Sequence, residues 1–256
     1  MDSLRHSDPE LFERYAIRDA EIAAEYLWRI VEFSDDNGLG NTPALTVGSL
    51  AVNYLIDLWD RTQIRKTDVL GTEETKQKQW NPHTRRHYTK KEFPLIKEIH
   101  LHEPLAVESY HGGRNEAFIF GFTDLANWID VDLSGAYTTA MAAIKVPDYK
   151  NIRVSSELAD YKKDTLGVAQ IRFKFPSNTK YPCLPVRTDH GLVFPLEGET
   201  YVASPEIELA LSLNAEIKIE YGVVIPWLNE VRPFEQFSKS VRENREAEKE
   251  AGRKGG

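Results

Sequence analysis

The sequence predicts an α+β fold, and three features carry that expectation. Apolar residues recur at threes and fours over residues 8–33 and again over about 47–60, the period of an amphipathic helix. Strict alternation appears later, in 128–133 (WIDVDL) and 168–176 (VAQIRFKFP), which is the period of a strand. Helical and strand patterns are therefore segregated along the chain rather than interleaved as βαβ units. The length permits this: 256 residues and 29.3 kDa suffice for one large domain or two small ones with a substantial core.

Each element has a local reason. Asp8 is placed to cap the first long helix, Pro9 suits its first position, and Glu10 adds charge that a helix N-terminus favours. Leu11, Phe12, Tyr15, Ile22, Ala23, Tyr26, Leu27 and Ile30 supply its stripe, and the turn formers SDDNGLGNTP end it. The second helix carries Leu50, Val52, Leu55 and Leu58. Residues 61–92 change character. They hold Lys76, Lys78, Arg85, Arg86, Lys90 and Lys91 interleaved with Trp80 and Tyr88, too polar for a core element, and read as a mobile surface loop. From residue 104 the texture is strand and turn, with apolar runs flanking Gly112–Gly113 as in a hairpin or bulge. Ser204 is placed to cap a helix opened by Pro205 and closed near Asn214. Residues 217–227 read as a strand, and a helix with Phe234, Phe237 and Val241 leads into a charged tail.

Composition excludes several classes. Hydrophobic residues at 41% and charged residues at 28% are those of a globular protein, not a disordered one. A net charge of −8, from 32 Lys+Arg and 40 Asp+Glu, excludes a uniformly basic, histone-like binder while leaving local basic clusters free to act. The one cysteine, Cys183, cannot form an intrachain disulfide and suits a reducing compartment. No window approaches the roughly 20 apolar residues that span a bilayer, and the N-terminus lacks the apolar core of a signal peptide. The expectation is a soluble cytoplasmic protein that meets no membrane.

Four constellations could carry chemistry. Asp130 and Asp132 would project from one strand face about 6.6 Å apart, and the following Leu133, Ser134, Gly135, Ala136, Tyr137 form a small-residue turn with an aromatic. Magnesium takes one or two such carboxylates while substrate phosphates complete its shell. Gly112 and Gly113 free the backbone for an anion nest beside the planar, bidentate Arg114. Tyr15 and Asp19, four apart, share a helix face, an arrangement that suits metal-assisted phosphodiester hydrolysis. His83 with His87, and His100 with His102, have spacings that zinc accepts. Against zinc, His83 follows a proline in a polar stretch and no cysteine or carboxylate is placed to help. Cys183, between Pro182 and Leu184, reads as buried and inert.

The order of these segments is more specific than any one of them. YAIRDAEIAAEYL, then YHGGRNEAF, then VDLSGAYTTAM, resembles the succession in family B DNA polymerases, nearest to phage and linear-plasmid members that start from a protein primer. Tyr15 and Asp19 match the third exonuclease motif, Y-x-x-x-D; Tyr110, Gly112 and Gly113 match Y-x-G-G; residues 132–139 lie over motif A, D-x-x-S-L-Y-P-S. The resemblance implies that Asp132 is a catalytic, metal-binding carboxylate and that the Leu133 carbonyl is a further ligand. It makes Tyr137 the aromatic under the incoming sugar, with residues 133–137 against the nucleotide, and Asp19 a metal ligand on the exonuclease side. It implies magnesium, a deoxynucleoside triphosphate and primer–template DNA, with Tyr110, Gly112, Gly113, Arg114, Arg85, Arg86, Lys90 and Lys91 meeting DNA, and a bacterial or phage-infected host cell.

It further implies a division into the end of an exonuclease-like domain with the basic loop (1–103), an antiparallel palm-type domain carrying Asp132 (104–231), and the start of the fingers (232–256). The resemblance finds no counterpart here of the D-x-E segment that opens the exonuclease site, and neither the fingers motif K-x-x-x-N-S-x-Y-G nor the carboxylate pair Y-x-D-T-D occurs in the sequence. Two-metal phosphoryl transfer needs carboxylates from both sides of the site. The expectation is therefore a polymerase segment, inactive alone, that needs a second chain bearing those motifs and whose partners could include a terminal protein. The rival expectation is a non-catalytic DNA-binding module on a polymerase scaffold.

Overall fold

The computed structural model describes residues 2–40, 44, 46–123, 128–133, 135–162, 164–250 and 252. Helices and antiparallel sheets make it an α+β protein. Contacts divide it into two units, Met1–Ile64 and Arg65–Gly256. That division falls earlier than the motif-based boundary at 103/104. Among the described residues no helix is long and apolar enough to cross a membrane.

The first unit is helical: α1 (Asp2–Ser7), α2 (Pro9–Asp36) and α3 (Val47–Arg61). Asp8 caps α2 as expected, its carboxylate accepting from Leu11 N at 3.0 Å. Thr46 and Ser49 form a reciprocal capping box on α3. Phe33 meets Tyr54 edge to face with ring centroids 5.5 Å apart, and Leu58 is buried. The earlier turns of α2 differ, since Leu11, Tyr15, Ile22, Tyr26 and Trp28 are all exposed.

In the second unit, the polar stretch read as a loop is a hairpin. After α4 (Lys66–Leu70) come β1 (Thr75–Asn81) and β2 (Arg86–Glu92), paired in register from Thr75↔Glu92 to Asn81↔Arg86. Asn81 Oδ1 accepts from the amides of His83 and Thr84, an Asx turn that reverses the chain, and Arg85 takes the left-handed conformation at φ 49°. Apolar content misled here because cross-strand pairs, not burial, hold this ribbon.

Next comes α5 (Lys97–Glu108), which accommodates Pro104 inside its length and so replaces the strand texture expected from residue 104. Residues 110–123 and 128–133 form no strand. The antiparallel sheet begins later, after α6 (Ala136–Ala142). Its strands are β3 (Arg153–Val154), β4 (Leu166–Lys174), β7 (Glu197–Ala203) and β8 (Glu216–Ile225) in the order β3-β8-β4-β7, while β5 (Val186–Thr188) and β6 (Gly191–Val193) pair separately. Asp132 therefore does not sit on this sheet. The alternation of 168–176 does place Ala169, Ile171, Phe173 and Phe175 in the core with Leu184, Val202, Ile207 and Ala210.

The helix α7 (Ser204–Ser212) covers that face. Its cap differs from expectation. Glu206 accepts from Ala203 N at 2.8 Å, while Ser204 is the first helical residue and fully buried. Tyr161 fills the gap above glycine: its hydroxyl donates to Ser155 O at 2.7 Å, and a Cβ at Gly222 would lie 2.2 Å from that oxygen. Last, α8 (Glu235–Glu250) packs on α6, with Arg242 Nη2 3.3 Å from Thr139 Oγ1.

Candidate functional site

The segment YHGGR (residues 110–114) is an irregular loop held by side chains at three points. Arg187 donates to Tyr110 O at 3.2 Å, His111 Nε2 bonds Tyr201 O on β7 at 2.7 Å, and Arg114 Nη1 donates to Pro182 O at 2.8 Å. Irregular backbone has no ladder to fix it, so these contacts set where the two glycines lie. Gly112 and Gly113 are exposed.

Arg114 does not present a free phosphate fork. Its guanidinium also binds Glu116 through Nε and Nη2 and lies 4.0 Å from the Phe194 ring centroid, so its bidentate edge and one face are already engaged. The charge at this position helps secure the loop.

Two of the motif segments come together. The Tyr137 hydroxyl lies close to Gly113, where an added Cβ would be 3.1 Å from it. Tyr137 is in the first turn of α6 and is exposed. Gly135 opens that helix in the left-handed region, φ 65°, and its carbonyl accepts from Thr138 Oγ1 at 2.9 Å. Ser134 lies outside the described residues.

Asp130 and Asp132 are exposed on the extended stretch 128–133. Trp128, Ile129, Val131 and Leu133 are exposed with them, so the alternation there does not separate a covered face from an open one. Asp132 and the Leu133 carbonyl are hard oxygen donors reachable from solvent, the chemistry magnesium accepts. They fit one side of its shell only: no three His, Cys, Asp or Glu groups gather anywhere among the described residues. The same fact bears on the zinc spacing. His87 stacks on Trp80 at 5.0 Å, His100 faces Glu103 at 3.4 Å, and His102 Nδ1 is 3.2 Å from the Tyr221 hydroxyl. Tyr15 and Asp19 are exposed on α2 and belong to the other unit.

Of the basic residues, Lys90 pairs with Glu92 at 3.0 Å and Lys91 with Glu74 at 3.1 Å, whereas Arg85 and Arg86 are exposed at the turn end of the hairpin. Partial burial holds the Cys183 thiol above its ordinary pKa, in keeping with an inert sulfur. Reading the motifs missed His111, Arg187, Glu206 and Phe194. Only His111 had a signal, lying inside the motif. Burial raises the pKa of Glu206, its bond from Ala203 N and the nearby His111 opposing that rise.

No family model and no solved structure matches the chain. At the level of class, the similarity found is to a DNA polymerase. The particular relative is a primer-independent DNA polymerase PolB of Escherichia coli, 40% identical over 243 residues. The match takes in 91% of this chain, which spans 28% of the relative's length.

Proposed function

We propose that this chain is the central portion of a family B DNA polymerase and contributes one side of a nucleotidyl-transfer site. The observation that carries the reading is 40% identity to a DNA polymerase along 91% of the chain. The approach of Tyr137 to Gly113, which brings a segment the resemblance sets against the nucleotide beside one it sets against DNA, supports it.

In this reading Asp132 and the Leu133 carbonyl hold a magnesium ion, whose charge would offset that of the nucleoside triphosphate. Tyr137, close to Gly113, meets the sugar and disfavours a 2′-hydroxyl. Residues 133–136 pass close to the nucleotide, and the loop clamped by His111 and Arg187 lies beside the primer–template. Tyr15 and Asp19 belong to a separate, exonuclease-like part with its own metal. The chain works in the cytoplasm of a bacterium or an infected host cell.

Polymerisation needs carboxylates from both sides of the site, so activity requires a second chain, or further sequence, carrying the fingers motif and the second carboxylate pair. The exposed apolar residues of 118–122 and 128–133 support a partner at this place. The resemblance implies a terminal protein as primer, while the name of the E. coli relative favours initiation without one. Priming assays with and without an oligonucleotide separate the two.

The test is reconstitution. Mixed with a chain supplying the complementary motifs, this protein incorporates deoxynucleotides in the presence of magnesium, and Asp132→Ala reduces incorporation by more than about a thousandfold. Incorporation that survives Asp132→Ala contradicts the assignment. DNA binding without incorporation under every complementation favours the non-catalytic module.

A further inference from the structure

The hairpin β1–β2 has two unlike faces, because side chains at paired positions of an antiparallel ladder project to the same side. Lys76, Lys78 and Trp80 on β1 share one face with Lys91, Thr89 and His87 on β2. Gln77, Gln79, Tyr88, Lys90, Arg86 and Glu92 occupy the other. On that second face the groups satisfy one another: Tyr88 donates to Gln79 Oε1 at 2.8 Å and Lys90 pairs with Glu92 at 3.0 Å. On the first, Lys78 has no acidic partner among the described residues, Lys76 and Lys91 share the single carboxylate Glu74, and Trp80 is 53% exposed with His87 against its ring.

Residues 75–92 contain six Lys or Arg and one Glu in a chain of net charge −8, so this ribbon is positive in an acidic protein. Lys76, Lys78 and Trp80 follow one another about 6.6 Å apart along the strand. A row of cations ending in an exposed indole is a backbone-tracking groove with a stacking platform, the combination that holds single-stranded nucleic acid without reading its sequence.

We propose that the Lys76–Lys78–Trp80–Lys91 face of the hairpin binds single-stranded DNA, the lysines on successive phosphates and Trp80 stacked on a base. The opposite face takes no part, so Arg86 and Lys90, which the resemblance sets among the DNA contacts, are withdrawn from them here. This deepens the polymerase reading, since it supplies a path for an unpaired template or displaced strand. It can fail separately, because it is read by binding and not by incorporation.

The experiment measures anisotropy of a fluorescein-labelled oligo-dT of about 20 nucleotides with the full chain at several salt concentrations. Two variants remove equal charge, Lys76→Ala with Lys78→Ala on the first face and Arg86→Ala with Lys90→Ala on the second. The first pair weakens binding at least tenfold and lowers the salt slope by about 1.4, at roughly 0.7 per lost phosphate contact. The second pair changes affinity less than threefold. Trp80→Ala costs at least about fivefold. Trp80→Phe, which preserves a stacking ring and the hairpin's packing, stays within threefold, and Tyr88→Ala within twofold. Equal losses from the two charge pairs, an unchanged affinity in Trp80→Ala, tighter binding of a duplex of the same length, or no oligonucleotide binding by the wild-type chain would each overturn the proposal. A reconstituted enzyme that incorporates nucleotides while showing any of these results refutes this inference alone.

Discussion

Residues 128–133 and the strand β4 carry the same sequence signal and end in opposite circumstances. Both alternate strictly between apolar and polar side chains. In β4 the apolar set, Ala169, Ile171 and Phe173, is covered by α7 and joined to strands on both sides. In 128–133 the apolar set, Ile129, Val131 and Leu133, is as open as the carboxylates between them. Alternation thus records only that one face is meant to be covered; the cover itself must come from elsewhere in the chain or from a partner. β4 finds both neighbours and a helix within the next 60 or so residues, as roughly expected for sheets built from short connections. In the Asp132 segment Ile129, Val131 and Leu133 remain exposed, and in the proposed reading their cover arrives with the complementary motifs.

The sharpest way to break this contrast is to truncate each side. Ile171→Ala removes a fully buried side chain and is expected to destabilise the second unit by about 2–5 kcal/mol. Ile129→Ala is expected to stay within about 0.5 kcal/mol. Chemical denaturation followed by circular dichroism distinguishes them, and a comparable loss at 129 would mean that the segment is covered after all.

A second contrast uses glycines. At Gly222 an added methyl meets the Tyr161 hydroxyl at 2.2 Å and the Ala169 Cβ at 2.8 Å inside the core, so Gly222→Ala should cost about 1–3 kcal/mol. At Gly113 the added methyl meets an exposed phenol at 3.1 Å, so stability holds while Tyr137 must shift by a few tenths of an ångström. In the reconstituted enzyme Gly113→Ala is expected to lower incorporation by about tenfold.

Two smaller effects sharpen the sheet side. Tyr161 has its pKa pushed up to about 12 by burial, so the folded state favours the neutral phenol. The stability this gives is complete below the unfolded value near 10 and is lost as pH rises from about 10 to 12. Tyr161→Phe removes the bond to Ser155 O, costs about 1 kcal/mol at neutral pH, and shallows that alkaline limb. Asp160 behaves in the opposite sense. Hydrogen bonds from Arg153 and Ser155 hold it down to about 2. Its contribution is present above the unfolded value near 3.9 and disappears as pH falls from about 4 to 2. The melting temperatures of wild type and Asp160→Asn therefore differ at pH 6 and converge over that acid range.

What the sequence made legible follows the same physics. Helices capped by Asp8 and by the Thr46–Ser49 pair, and the strand over 168–176, were readable because local periodicity and tertiary burial agree there. The hairpin of residues 75–92 was hidden because its stability comes from cross-strand pairs and an Asx turn rather than an apolar face. The helix at Lys97–Glu108 was hidden by Pro104, which normally argues against helix. At the candidate site the motif residues were readable as types, but what holds them was not. Nothing in local sequence indicates that His111 reaches Tyr201 or Arg187 reaches Tyr110, because those partners are set by the packing of β5 and β7. At Arg114 the sequence shows an arginine beside two glycines, but not that Glu116 and Phe194 engage its guanidinium.

The proposed reading gives Asp132, which lies over motif A, a metal-binding role and gives the neighbouring exposed carboxylate Asp130 none. The direct measurement is magnesium-dependent nucleotide incorporation by the reconstituted protein with Asp132→Asn and, separately, with Asp130→Asn. The account predicts a loss of at least about a thousandfold for the first and less than about threefold for the second. Equal losses, or a loss confined to Asp130→Asn, would contradict it.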